Sequence, residues 1–132
     1  MRFRKMTKKP SSKSPRKQRR RIKGPIHSHK KMLKCRMDEF LHEEYGIRSL
    51  VPKKGDLVRI MRGQFRDTEG KIVGINYSKV KIYVENATTT KADGKEAQVP
   101  VHPSNLMLVK LELDDDRKRI LEKKMIGMAE SE

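Results

Sequence analysis

Apolar residues change their spacing along this chain, and each change predicts a different element. Leu33, Met37, Phe40, Leu41 and Tyr45 fall at i, i+4, i+7, i+8 and i+12. That spacing returns to one side of a 3.6-residue turn and predicts an amphipathic helix from about Ser28 to Tyr45. Gly46 supplies its stop, because glycine enters the left-handed conformation that ends helices. Lys30, Lys31 and Lys34 crowd the first half of this stretch, the end of a helix whose dipole disfavours cations. A phosphate placed there would relieve the conflict; a solvated face is the alternative.

After Pro52 the period falls to two. Leu57, Arg59 and Met61 alternate with Val58, Ile60 and Arg62. Ile72-Val73-Gly74-Ile75 follows, then Val80, Ile82 and Val84 alternating with Lys81, Tyr83 and Glu85. Val99 and Val101 lead to the run from Leu106 to Leu111. These are five short strands, with turns expected over 62–70, 76–79, 86–96 and 102–105. Short, evenly spaced strands predict a small barrel or sandwich, and closure protects the edges of so small a sheet. A last helix is expected from about Asp114 to Met128. Asp114, Asp115 and Asp116 load its first turn and Lys123 and Lys124 lie near its end, both suited to the dipole. Ile120, Leu121, Met125 and Met128 give it a thin apolar edge. The expected chain is mainly β: a basic arm (1–25), a helical segment (26–50), a small barrel (51–112), and a C-terminal helix with an acidic tail (113–132).

Charge changes the picture most. The formal net charge is +16. The first 37 residues hold sixteen Lys and Arg and no Asp or Glu; the remaining 95 hold seventeen of each sign. The whole excess therefore sits at the N-terminus. A run so dense in like charge cannot pair internally, and either takes a polyanion as counter-surface or stays disordered. Large apolar groups in the first 25 residues are confined to Met1, Phe3, Met6 and Ile22, too few to offset the entropy of ordering them alone. The arm is thus expected to order on a phosphate backbone, along which arginine pairs in two-pronged fashion. Expected RNA contacts are Arg16, Lys17, Arg19, Arg20, Arg21, Lys23, His27, Lys30, Lys31 and Lys34, the Lys and Arg among them to phosphate. On the barrel rim they are Lys53, Lys54, Arg62, Gly63, Gln64, Arg66, Lys79 and His102. Gly63 and Gly70 are read as turn glycines with backbone angles closed to other residues. Phe65 has two readings, a platform for an unpaired base or a plug in the core.

Other function classes fit poorly. The longest uncharged run, 97–109, falls short of the ~20 residues of a membrane span. No apolar region follows the basic start, so no secretory signal is expected. The single cysteine, Cys35, excludes an internal disulfide, a reducing compartment is expected, and Cys35 is read as a small buried residue on the predicted helix. Gly63 and Gly70-Lys71 have the wrong spacing for a P-loop, and Ile72 stands where it needs Ser or Thr. His42-Glu43 lacks the second histidine of a zinc protease. Cys35 with His27, His29 and His42 does not have zinc-site spacing. Asp114 to Asp116 read as a helix cap, since consecutive helical residues do not face one another. Neither catalysis nor a cofactor is expected.

Gly55-Asp56-x-Val58-x-Ile60-x-x-Gly63 followed by Glu69-Gly70-Lys71-Ile72-Val73 resembles the KOW motif. Tyr45-Gly46-Ile47-Arg48-Ser49 before it resembles a larger pattern, as do His102-Pro103-Ser104-Asn105 and the segment from Leu113 to Glu122 after it. Together, from about Ser14 to Lys124, they resemble the eukaryotic and archaeal branch of one large-subunit ribosomal protein family, number twenty-four in the universal naming and twenty-six in the older eukaryotic one. The resemblance implies an SH3-like barrel. It implies binding to large-subunit rRNA beside the nascent-chain exit tunnel, a role early in subunit assembly, and neighbouring large-subunit proteins as further partners. It implies a cytoplasmic, ribosomal location, with nuclear and nucleolar transit if the source is eukaryotic; no homo-oligomer is expected. Asp67 departs from the glycine usual in the family's loop, though Asp tolerates left-handed angles. The basic tail of many eukaryotic members has no counterpart in Glu130-Ser131-Glu132, so its RNA contact is not expected. The KOW motif is shared with transcription elongation factors, which leaves a protein-interaction module of the transcription machinery as the alternative, with the arm as a nuclear-import signal.

Overall fold

The computed structural model describes residues 15–131, without the side chains of Lys17, Gln18, Arg20, Arg21 and Ser131. Residues 1–14 of the expected arm lie outside the described residues. The rest of the arm holds a helix, α1 (Pro15–Ile22), opened by a proline at a position where its missing N–H costs nothing.

The single helix expected over 28–45 is not there. In its place stand a short helix α2 (Ile26–His29), a 3-10 turn (Lys30–Leu33), a strand β1 (Cys35–Met37) and a helix α3 (Glu39–Tyr45). The competing pattern is Leu33, Cys35 and Met37 against Lys34 and Arg36. The first three are buried and the other two exposed, as in a strand with one buried side. Phe40, a member of the supposed stripe, is 71% exposed. With no long helix here, the dipole conflict of Lys30, Lys31 and Lys34 also disappears. Cys35 is buried as expected, but on a strand. Gly46 does end α3: its φ is +67° and its N–H donates to the His42 carbonyl at 2.7 Å.

All five expected strands are present and two more precede them. They are β2 (Ser49–Leu50), β3 (Leu57–Ile60), β4 (Glu69–Asn76), β5 (Lys81–Thr90), β6 (Glu96–Val101) and β7 (Leu106–Lys110). β5 runs six residues beyond Val84, to Thr90, so the long turn expected over 86–96 shrinks to the residues after it. The sheet order is β2-β1-β7-β3-β4-β5-β6. Neighbours are antiparallel except β1 and β7, which are parallel. The register shifts between Leu57 and Val58, between Ile72 and Gly74, and between Tyr83 and Thr88; such bulges bend a strand. The inward residues of all seven strands, among them Cys35, Leu50, Val58, Ile60, Ile72, Val84, Val101 and Leu108, form one cluster. Helices α3 and α4 (Asp115–Ser131) add only Leu41 and Leu121 to it. A sheet with one apolar side and so little helical cover buries that side against itself, which is a small barrel-like arrangement.

Gly70 serves differently from the expectation. Its φ is not in the left-handed region. It sits in β4, where a Cβ would come within 2.9 Å of Val84 Cγ1 and 3.3 Å of Asn86 Nδ2. Close packing, not a turn, demands glycine there. Gly63, at φ +102°, is the turn residue.

Candidate nucleic-acid interface

The loop between β3 and β4 is built on backbone hydrogen bonds. Ile60 N–H donates to Thr68 O at 2.9 Å and Asp67 N–H to Ile60 O at 2.8 Å, while Arg66 N–H reaches Gly63 O at 3.2 Å. Asp67 takes the left-handed conformation, φ +65°, as an Asp can, so the turn survives without the glycine. Phe65 is half-buried and packs on the core, which is the plug reading. With the ring turned inward, Arg62, Gly63, Gln64 and Arg66 are exposed, as are Met61 and Asp67. The Asp67 carboxylate lies 3.8 Å from Arg66 Nε with both side chains exposed, an anion inside the rim of cations.

Met61 N–H donates to Asn105 O at 2.7 Å and ties this loop to the 3-10 turn between β6 and β7 (Pro103–Asn105). Arg36, Arg62, Ser104 and Asn105 thereby line one cleft. Arg36 is the residue that sequence reasoning missed. It points out of β1 between two buried neighbours, and the Leu33-Cys35-Met37 alternation would have marked it. His102 accepts from Ser104 N–H at 3.2 Å through Nδ1, which also lies 2.7 Å from Ser104 Oγ. Nδ1 is therefore the acceptor and Nε2 carries the proton. Burial, and then Lys81, push the His102 pKa down, so at neutral pH it offers a hydrogen-bond donor rather than a positive charge.

Arg16, Arg19, Lys23, His27, Lys30, Lys31 and Lys34 are exposed. The side chains of Lys17, Arg20 and Arg21 lie outside the described residues. His29 is buried and its Nδ1 lies 2.9 Å from the Tyr77 carbonyl, which docks α2 on the β4–β5 turn. In that turn Asn76 Oδ1 accepts from the N–H of exposed Lys79 at 3.1 Å. Lys30, Lys53 and Lys124 line a second groove, together with Leu50, Val51, Pro52, Tyr77, Ile120 and the inner side of Arg117. Lys53 is paired with Asp114, whose carboxyl that ammonium holds below the usual carboxylate range. Lys54 is exposed.

One buried ion pair fixes how these surfaces meet. Asp56 is 0% and Arg117 3% exposed. Arg117 donates from Nη1 to Asp56 Oδ1 at 2.6 Å and from Nη2 to Oδ2 at 2.7 Å. It also donates to the carbonyls of Glu112 at 3.0 Å and Val51 at 3.2 Å. The carboxylate accepts in addition from Lys53 N–H and Glu112 N–H, both at 2.9 Å. A two-pronged pair with its remaining hydrogen-bonding positions filled is the kind that burial tolerates. It joins the entry of β3, the exit of β7 and the first turn of α4. Nothing in the sequence linked these residues, 61 positions apart.

Reactive groups are scarce by comparison. Burial, and then Asp56, push the Cys35 thiol up to about 12, which keeps it protonated and inert. Among the described residues, no three His, Cys, Asp or Glu side chains gather to hold a metal, and no helix is long and apolar enough to cross a membrane. What the described surface offers chemically is a set of fixed cations on a rigid sheet.

The comparisons with known proteins agree with this. Residues 12–124 match the model of the family described as ribosomal proteins L26 of eukaryotes and L24 of archaea. The chain is 44% identical over 108 residues to the large ribosomal subunit protein uL24 of Methanosarcina barkeri, covering 81% of this chain and 93% of that one. It is 40% identical over 121 residues to uL24 of Korarchaeum cryptofilum, covering 90% and 92%. Alignment over nearly the full length of both relatives takes in the barrel and the segments on either side of it, where a shared KOW motif alone would not. The chain therefore belongs to the ribosomal protein family that comprises eukaryotic L26 and its archaeal L24 counterpart, structural and not enzymatic components of the ribosome.

Proposed function

We propose that this protein is a structural constituent of the large ribosomal subunit that binds large-subunit rRNA near the nascent-chain exit tunnel and supports early subunit assembly, alongside neighbouring large-subunit proteins. In a eukaryotic cell it would pass through the nucleolus on the way. One observation carries this reading: sixteen cations precede the first acid of the chain, and those whose side chains are described stand exposed, from Arg16 to Arg36. Such a surface gains free energy by displacing counterions from a polyphosphate. Residues 1–25 act as the arm; the loop cations Arg62 and Arg66, with Lys54, Lys79 and His102, act as the second contact. Family membership and the alignments to large-subunit proteins favour rRNA over a transcription complex as the polyanion. Sedimentation of a gentle lysate through a sucrose gradient containing high salt tests it. Co-migration with the free large subunit and with whole ribosomes is expected. Recovery in a polymerase-containing or light fraction instead would overturn it.

A further inference from the structure

The groove beside α4 has a composition that neither the arm nor the loop explains. Its volume is about 280 Å³, near the lower end of small-ligand sites at ~300 Å³. Leu50, Val51, Pro52 and Ile120 give it an apolar floor, Tyr77 adds an aromatic ring, and Lys30, Lys53 and Lys124 stand around it. No carboxylate lines it. Arg117 and Lys53 already have Asp56 and Asp114 as partners. Lys30 and Lys124 have no ion pair among the described residues. Burial, and then Lys34, push the Lys124 ammonium below its ordinary pKa, a cost that an anion in the groove would offset.

An apolar slot with an aromatic wall and two unmatched cations fits a flat, apolar-faced group tethered to a phosphate. We propose that this groove takes one unstacked nucleotide of the bound RNA, with its base against Val51, Tyr77 and Ile120 and its phosphate on Lys30 and Lys124. Base stacking of this kind tolerates any base, so the site reads an extruded nucleotide rather than a sequence. It presupposes the RNA-binding reading above and adds to it a pocket outside both the arm and the loop. An acidic peptide would satisfy the lysines but leave the floor and ring without a partner, so charge and shape together favour the nucleotide.

The test is ultraviolet crosslinking of large subunits carrying the full chain, then tryptic and nuclease digestion and mass spectrometry. Nucleotide adducts are expected on the peptide of residues 72–79, which contains Tyr77. Ile120→Glu places a carboxylate at the edge of the slot on a side chain that is already 48% exposed, so the fold should hold. It is expected to abolish those adducts, to weaken binding to large-subunit rRNA about tenfold and to flatten the salt slope by about one phosphate contact, since the phosphate on Lys30 and Lys124 leaves with the base. Ile120→Leu should keep both. Lys124→Glu should weaken binding and also flatten the slope. Adducts confined to the loop over 61–68 and to the N-terminal segment, with Ile120→Glu binding like wild type, would overturn the nucleotide site and leave the function intact. So would a peptide of a neighbouring protein crosslinked at Tyr77. A chain with no nucleotide adduct anywhere, and absent from large subunits, would sink the function and this site with it.

Discussion

Residues 1–37 hold sixteen cations without an acid, whereas the other 95 residues hold seventeen of each sign, and the two regions neutralise that charge differently. The barrel does so internally. Asp56 and Arg117 neutralise each other in the interior, Arg59 pairs with Glu69 across two strands at 2.6 Å, and Lys53 pairs with Asp114. In the N-terminal segment no described Lys or Arg has an ion pair, and its helix α1 has no acid in its first turn. It is attached to the barrel through the buried residues His29 and Leu33 rather than through ion pairs. Leu33, Cys35 and Met37 still belong to the core, so the expected division is between the barrel with β1, which sets folding, and the cations before it, which are expected to dominate binding, and the two should respond to separate perturbations.

The largest expected effect comes from removing residues 1–23, which takes away twelve of the 33 Lys and Arg. RNA affinity should fall on the order of a thousandfold near physiological salt, with the slope of log affinity against log salt flattening by ~0.7–0.9 for each phosphate no longer neutralised. The urea midpoint of the barrel should not move. Binding measured across a salt series reads the first and denaturation the second. An unchanged slope, or a collapsed barrel, would break the division between the two regions.

The reverse perturbation is Asp56→Ala. It strands Arg117, 3% exposed, without its carboxylate, and breaking such a pair costs about 3–5 kcal/mol. Urea unfolding should show that loss, while the protein still folded keeps its RNA affinity and salt slope. Changing both partners, Asp56→Leu with Arg117→Met, should recover the part of the loss that comes from the stranded charge, but not the part from the Lys53 and Glu112 N–H groups, which lose their acceptor in both variants. A single variant that lost less than ~1 kcal/mol would show that the pair is incidental to how α4 meets the barrel.

The five strands after Pro52 were legible because each hides one side and shows the other. Val58, Ile60, Ile82, Val84 and Leu108 are buried, and their spacing of two has no helical rival. The segment before it was not, because Leu33, Met37 and Leu41 satisfy a helix while Leu33, Cys35 and Met37 satisfy a strand. Sheet pairing of β1 with both β2 and β7 decides between them, and no local pattern records that pairing. Arg36 as a neighbour of Arg62 was lost with the strand. The charge partition and the loop glycine Gly63 were readable directly. The role of Gly70 was not, since its reason lies in Val84 and Asn86 across the sheet. Asp56 and Arg117 were both visible within family-like segments, but their bond depends on a three-dimensional approach between residues 61 positions apart.

The smallest effect is expected where the two regimes of charge meet, at Asp67. Its carboxylate lies 3.8 Å from Arg66 on an exposed rim, so the pair contributes little to folding. What fixes the residue is its φ of +65°, which asparagine tolerates equally. Asp67→Asn should therefore leave the melting temperature unchanged while removing one anion from a face proposed to meet phosphate. An exposed charge of this kind is worth ~0.5–1 kcal/mol at a surface, so RNA affinity should rise about two- to fivefold, more at low salt than at high. A rise with that salt dependence would place the β3–β4 loop against the RNA backbone. No rise would mean that Arg62 and Arg66 face away from it, and that the N-terminal segment makes the phosphate contacts alone.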